Sequence, residues 1–463
     1  MLDIKEAKSV LDNCLISGCD YAEIFYEDTY KNTIRLMNDR VDSINTEETY
    51  GVGIRLLKGV EEVYGYSNDT SFEAMIALSS KLAQSFDGKP LDIKFELKEE
   101  TATGGVNITK ASKDVPYSEK LPLLWTVYNT IKGYSPLIVQ AVSQLMEVNQ
   151  YVTIANTKGQ FIHDTRNQNR ISAQAIARHN GKSQANGDSI GCNAGFDYYR
   201  DKDLVKFATN VAHDAVEMVD APDMVGGVYP VVMHNGFGGV LFHEACGHSL
   251  EASSVALGLS VFTGKKGTQI ASSIVNAVDD GTLANEWGST NVDDEGHKAQ
   301  RNLLIKNGIL NSYMIDMKNG RRMGEEATGS SRRESYKFSP TSRMTNTFIC
   351  NGTDKFDDVI KDTKYGLFAK SLGGGSVNPV TGEFNFAVNV GYLIEDGKIT
   401  TPVKGATLIG NGANALLNID KVCDNQTFGH GVCGASSGSV YANVGEPTIR
   451  ILNMTVGGNG GRK

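Results

Sequence analysis

The sequence contains no basic run of five or more residues, and Asp and Glu (54) outnumber Lys and Arg (45), for a formal charge of −9. Nucleic-acid interfaces are built on clustered cations, so direct DNA or RNA contact is not expected. No apolar stretch approaches the roughly 20 residues that span a bilayer, so no membrane association is expected. Met1-Leu2-Asp3-Ile4-Lys5-Glu6 has neither the basic region nor the apolar region of a secretory signal. There is no internal repeat and no low-complexity tract. The 7 cysteines are odd in number and spread from Cys14 to Cys433, which does not suit a disulfide framework. The expectation is a cytoplasmic protein with free thiols.

What is present indicates a globular chain. Hydrophobic residues make up 40% and charged residues 21%. A length of 463 residues exceeds one ordinary core, so two domains are expected. Asp220-Ala221-Pro222-Asp223-Met224-Val225-Gly226-Gly227 reads as the linker, giving residues 1–221 and 222–463.

The first half shows helical spacing at Ile4, Ala7, Leu11, Cys14 and Leu15, then period-two alternation at Ile34, Leu36, Val52, Ile54 and Leu56. Thr70 with Glu73 resembles a capping box opening a helix with Phe72, Met75, Leu82 and Phe86. Strands are expected over 151–154 and 171–176, and a helix carries Leu204, Ala208, Val211 and Ala215. This half reads as α+β, an open antiparallel sheet with flanking helices. In the second half a strand over 228–233 precedes a Gly-rich turn at 235–239 and the helix bearing His243-Glu244-Ala245-Cys246-Gly247-His248. Short strands follow, with Asn307-Gly308 and Asp396-Gly397 as hairpin turns and one helix over about 356–371. This half reads as mostly antiparallel β. Gly373-Gly374-Gly375 lacks a following Lys and is a turn or strand start.

The His-Glu segment carries the chemistry. In the common zinc-peptidase motif two imidazoles at i and i+4 share one helix face. Here they stand at i and i+5, about 140° apart on an ideal α-helix. They converge only if the helix widens, and Gly247 is the expected place, since glycine tolerates unusual dihedrals. A distortion at 246–248 is therefore predicted. His243 and His248 would then hold Zn²⁺, and Glu244 would move a proton from metal-bound water to the leaving amine. A third ligand could come from Glu251, Cys246, His297, Cys433 or the acidic run Asp293-Asp294-Glu295. His163, His179, His213, His234 and His430 carry no motif, and Cys14, Cys19, Cys192, Cys350 and Cys423 read as packed thiols.

Several ordered blocks resemble the TldD/PmbA metallopeptidase family. They are His243-Glu244-Ala245-Cys246-Gly247-His248-Ser249-Leu250-Glu251, Val278-Asp279-Asp280-Gly281-Thr282, Gly288-Ser289-Thr290-Asn291-Val292-Asp293-Asp294-Glu295-Gly296, Arg332-Arg333-Glu334-Ser335-Tyr336, Arg343-Met344-Thr345-Asn346-Thr347, and Tyr392 through Ile399 with Pro402 through Gly412. The resemblance implies a zinc peptidase with His243, His248 and Cys433 as ligands and Glu244 as base. It implies a dimer enclosing the site, which unfolded peptides enter. The dimer is either a homodimer or a heterodimer with an inactive TldE (PmbA)-like subunit. The family follows its ligand Cys with Gly-Lys and later Gly-Gln; here Ala435 and Ser439 stand instead, which leaves that loop's part in substrate binding open. Tyr336, Arg332 and His297 are candidates for oxyanion or substrate contact. Arg332 and Arg333 could instead pair with the acidic run. Other readings are a non-catalytic regulator or scaffold of the gyrase-modulator type, and a small-amide hydrolase on the same zinc site.

Overall fold

The computed structural model describes residues 2–378 and 380–461. The first half is a seven-stranded sheet. Its centre is Tyr21–Met37, paired antiparallel with Arg40–Lys58 on one side and with Ile138–Asn156 on the other. Gln160–His179 and Lys182–Asn193 extend it. The one parallel addition is the short strand Lys98–Thr101.

Alternation along Tyr21–Met37 divides the sheet's faces. Ala22, Ile24 and Tyr26 pack with helices Ile4–Cys14 and Phe72–Ala83. Ile34 and Leu36, at the same parity, pack with Tyr117–Tyr134 and Leu204–Met218. The opposite parity, Glu23, Phe25 and Glu27, turns toward the second half. Phe25 packs with Val292 and Tyr336, and Arg55 of the neighbouring strand bonds Glu295.

Two larger sheets build the second half. One is six-stranded and ends on the hairpin Thr427–Ala435 and Gly438–Glu446. In the other, five strands pair in a closed ring: Tyr365–Val377, Gly227–Met233, Ile449–Gly457, Thr407–Asn411, Glu383–Glu395 and back to Tyr365–Val377. Closure leaves those strands without a free edge. The largest apolar cluster joins this ring (Val231, Met233, Phe386, Leu408) to Leu241, Phe242, Ala245 and Cys246 of the motif segment. The fold is mixed α+β with predominantly antiparallel sheets, as expected.

Local expectations fared unevenly. Asn307-Gly308 and Asp396-Gly397 sit at positive φ in tight hairpins. The cap of Phe72–Ala83 is Ser71, whose hydroxyl accepts from the Ala74 N–H, while Thr70 bonds the Tyr50 hydroxyl. Phe86 lies beyond that helix. The helix expected over 356–371 is only Phe356–Asp362; Tyr365 onward pairs on both sides as a ring strand, and the Gly373–Gly375 run lies within it. Tyr117–Tyr134 was not anticipated because Pro122 interrupts the pattern and Lys120 is buried against Glu147. Among the described residues no helix is long and apolar enough to cross a membrane. All cysteines are free thiols.

Candidate metal centre

The motif segment is not a regular α-helix. A single α-turn, Val240–Phe242, leads into a π-turn over His243–Gly247 and then a 3₁₀ turn over His248–Leu250. The His248 N–H donates to the His243 carbonyl, an i→i+5 bond between the two histidines themselves. One wide turn thus stacks residues that an α-helix would separate. The expected distortion is present, but its cause differs. Gly247 has φ −52 and ψ −56, which any residue adopts. A Cβ there would meet Met344 Sδ at 2.3 Å, so glycine serves close packing. Gly412 does the same from another side: a Cβ would lie 2.3 Å from the Ala245 carbonyl oxygen. The π-turn is held between these two contacts.

The turn points both imidazoles at one sulfur. His243 Nε2 and His248 Nε2 each lie 3.2 Å from Cys433 Sγ. The rings are near perpendicular, with centroids 5.1 Å apart. His243 and Cys433 are buried at 3% and 6% exposure, and His248 is partly buried. Cys433 lies on Thr427–Ala435, opposite Val440 in the terminal hairpin. Burial pushes its thiol up, but the two imidazoles prevail and hold it down at about 4. At neutral pH it is a thiolate, the form that binds metals. For His248, burial opposes the charged ring. The Glu251 carboxylate and Cys433 outweigh it and hold the ring well above the usual imidazole range.

Glu244 Oε2 is 3.8 Å from His248 Nε2, with its side chain 28% exposed. Behind His248, Nδ1 meets Glu251 Oε2 at 3.1 Å. Glu251 Oε1 in turn faces Arg343 Nε at 3.8 Å. Arg343 is fully buried and also donates to the Cys433 carbonyl, to Gly438 O (2.8 Å) and to Ser437 Oγ (3.1 Å).

The other candidates lie elsewhere. Cys246 is wholly buried in the apolar core, and burial pushes its thiol well up, so it is a packed thiol. Arg332 donates to the Met344 and Tyr441 carbonyls, with burial pulling it down to about 10. Tyr336 packs with Phe25 and Val292 and edge-on to Tyr66. His297 sits beside Asp293 and Glu295, at 3.6 and 3.9 Å. Among the described residues no hydrogen bond, ion pair or ring contact joins these three to His243, His248 or Cys433. The acidic run is consumed: Asp293 accepts from the Glu295, His297 and Ser331 N–H groups, Asp294 pairs with Arg166, and Glu295 pairs with Arg55. Arg343 went unnoticed in the sequence as a site residue. Its only signal was adjacency to Met344 in one of the ordered blocks.

Two imidazole nitrogens and a thiolate, mutually within 4.8 Å, are a donor set suited to zinc. Among the described residues His243 Nδ1 is buried with no hydrogen-bond partner, which leaves the ring's orientation to the Nε2 side.

Comparison with known proteins gives the setting of this arrangement. Three family descriptions match in order: PmbA/TldA metallopeptidase domain 1 over residues 22–84, the central domain over 110–221, and the C-terminal domain over 226–458. The chain belongs to the PmbA/TldD metallopeptidase family. Its relatives in that family include the Metalloprotease TldD homolog of Haemophilus influenzae, 35% identical and covering 95% of this chain and 93% of that protein. The homolog from Buchnera aphidicola (Acyrthosiphon pisum) is 31% identical, with the same coverage. Among solved structures, a putative modulator of DNA gyrase from Thermotoga maritima superposes with TM-score 0.78 at 20% identity over 94% of this chain and 96% of that one. TldE from Thermococcus kodakarensis gives TM-score 0.76 at 17% identity, over 98% of both chains. The structural likenesses establish a shared PmbA/TldD fold. The family's metalloprotease names imply a metal ion.

Proposed function

We propose that this chain is a zinc-dependent peptidase that hydrolyses unfolded peptides inside an enclosed dimer. The observation that carries this reading is the meeting of His243 Nε2, His248 Nε2 and Cys433 Sγ, brought from 185 residues apart to within 4.8 Å, beside a carboxylate with access to solvent.

His243, His248 and Cys433 hold the metal, and residues 222–463 form the peptidase domain. When bound, zinc supplies Lewis-acid chemistry, acidifying water and polarising the scissile carbonyl. Glu244 takes the proton of the attacking water on its carboxylate and delivers it to the leaving amine nitrogen. The Cys433 thiolate is already formed at neutral pH, so the proton that metal binding has to displace is the one on the His248 ring, which Glu251 and Cys433 hold in its charged form. Peptide adds along the outer edge of Thr427–Ala435. Among the described residues that strand pairs with Gly438–Glu446 and meets Gly236 at Phe428, while Trp287 and Arg343 donate to its Gly431 and Cys433 carbonyls. A cavity of about 650 Å³ bordered by Gly236, Phe428 and His430 lies along the first part of the same strand, and its lining does not include the three donors or Glu244. Arg332, Tyr336 and His297 are held by protein partners, so substrate contact falls first to Glu244 and the strand edge. The enclosing partner is a second copy or a TldE-like subunit, and the working compartment is the cytoplasm.

The name of one structural neighbour, a putative modulator of a DNA gyrase, is the source of a second reading, a regulator or scaffold without peptidase activity. Zinc content and cleavage of unfolded peptides, measured for wild type and Glu244→Gln with and without a TldE-like partner, separate the two. The peptidase reading expects about one zinc in both proteins and a loss of cleavage of at least about 100-fold in the variant. Zinc-loaded wild type that cleaves no peptide in either condition sinks it. Cleavage of small amides alone would move the reading to an amide hydrolase.

A further inference from the structure

Two stretches of chain supply the three donors. His243 and His248 come from the π-turn, while Cys433 comes from the terminal hairpin. Nothing in the turn's own hydrogen bonding fixes its distance from the hairpin. The Arg343 side chain hydrogen-bonds the hairpin and ion-pairs with the segment that follows the turn.

From these contacts we infer that Arg343 is the positioning residue that sets the two ligand-bearing elements against each other. The inference rests on the proposed metal-binding role of the three donors. One side of the guanidinium grips the hairpin. Its Nη2 donates to the Cys433 carbonyl, and its Nη1 donates to Gly438 O at 2.8 Å and Ser437 Oγ at 3.1 Å. These acceptors lie on both strands and in the turn between them, so the fork spans the hairpin. The other side faces the π-turn segment. Arg343 Nε and Glu251 Oε1 stand 3.8 Å apart as an ion pair, and among the described residues both buried atoms are without a hydrogen-bond partner. Glu251 Oε2 then meets His248 Nδ1 at 3.1 Å. That contact fixes which nitrogen of His248 is turned toward Cys433, because Nδ1 is taken.

The chemistry calls for arginine. Only a planar fork donates in several directions at once while keeping its charge in a fully buried position. Lysine is a point charge and could serve the hairpin or Glu251, not both. The backbone helps to fix the fork: the Arg343 N–H donates to Ser330 O, and the next residue, Met344, is the one packed against Gly247. Arg343-Met344 thus touches both histidine-bearing and cysteine-bearing elements. Glu251 becomes the carboxylate that orients His248, and its four-residue distance from Gly247 no longer needs a ligand role to explain it.

The test uses Co²⁺ as probe on the metal-free full-length protein, read by the thiolate-to-cobalt charge-transfer absorption and the visible d–d bands. Wild type, Arg343→Lys, Glu251→Gln and the double variant are compared, with folding checked by circular dichroism. The expectation is a Co²⁺ affinity about 10- to 100-fold weaker in each single variant, with weakened d–d absorption. The double variant should be no weaker than the weaker single, because both residues act in one chain of contacts. A residue that only stabilised the fold would lower the melting temperature and leave the spectrum intact. Wild-type affinity and spectrum in a folded single variant overturn the inference, as do effects that multiply independently. Glu251→Gln is nearly isosteric and decides the matter alone if Arg343→Lys does not fold. A wild-type protein that takes up no Co²⁺ fails the metal reading itself; a wild type that binds it while the variants match it fails only the role of Arg343.

Discussion

At Cys433, burial and two imidazoles pull in opposite directions, and the imidazoles prevail, leaving the thiol at about 4. Its charge is the soft donor that distinguishes this site from one built of carboxylates. Cys433→Ser is expected to lower zinc affinity by at least about 10-fold and to abolish cleavage; retained zinc and activity would return the third-ligand role to Glu251. A second residue-scale effect lies away from the site. Asp279 is wholly buried, and burial pushes its carboxyl up to about 6 against the bonds from Thr345 and Thr347. An unfolded-chain aspartate titrates near 3.9, about 2 units lower. The folded state therefore favours the protonated form. The resulting stability is fully present below about pH 4 and is lost as pH rises through about 6. Asp279→Asn keeps Oδ1 as acceptor for the Thr345 N–H and the Thr347 hydroxyl, sets an amide opposite the Thr345 hydroxyl, and removes the titration. The melting temperature of wild type should fall relative to this variant between pH 4 and 7, and a constant difference would contradict the assignment.

The π-turn carries the account at the scale of elements. The i, i+5 spacing made a widened helix legible in the sequence, because geometry forbids two converging imidazoles otherwise. The packing reason was not legible, since Met344 approaches Gly247 from 97 residues away and Gly412 approaches Ala245 from 167 residues away by position number. Gly247→Ala would drive a methyl into Met344 and is expected to cost about 1–3 kcal/mol of stability and part of the metal affinity. Met344→Ala should restore some of the loss, which a double-mutant cycle of melting and zinc titration measures. The alternating strands of the first half and the Asn-Gly and Asp-Gly hairpins were equally legible, being set by period and turn chemistry. Tyr365–Val377 was not. Its apolar residues follow a short helix without a break, and only pairing with Gly227–Met233 and Glu383–Glu395 makes them a strand.

At the scale of the whole molecule, buried charges join the first sheet to the second half. Arg55, fully buried, bonds Glu295 at 2.5 Å and Glu23 at 3.0 Å. Arg333 reaches Glu23 and the Asp294 carbonyl, and Arg166 spans Asp164 and Asp294. The sequence offers the acidic run as a partner for Arg332 and Arg333. Arg333 meets it through its backbone N–H on the Asp294 carboxylate and its guanidinium on the Asp294 carbonyl, but its ion pair is with Glu23, and Arg332 bonds carbonyls. Arg55→Ala leaves two carboxylates without their shared partner. It should destabilise by about 3–5 kcal/mol, read by urea denaturation. A loss under about 1 kcal/mol would show that the halves are held by apolar contact instead. The closed five-strand ring lies beyond the reach of sequence periodicity, because closure depends on which distant strands pair.

The most direct test of the central claim is zinc K-edge X-ray absorption on the zinc-loaded wild type and Cys433→Ser. The proposed centre predicts one sulfur scatterer at about 2.3 Å with nitrogen or oxygen scatterers near 2.0 Å in the wild type, and no sulfur in the variant. A wild-type shell of nitrogen and oxygen alone would contradict a metal held by His243, His248 and Cys433.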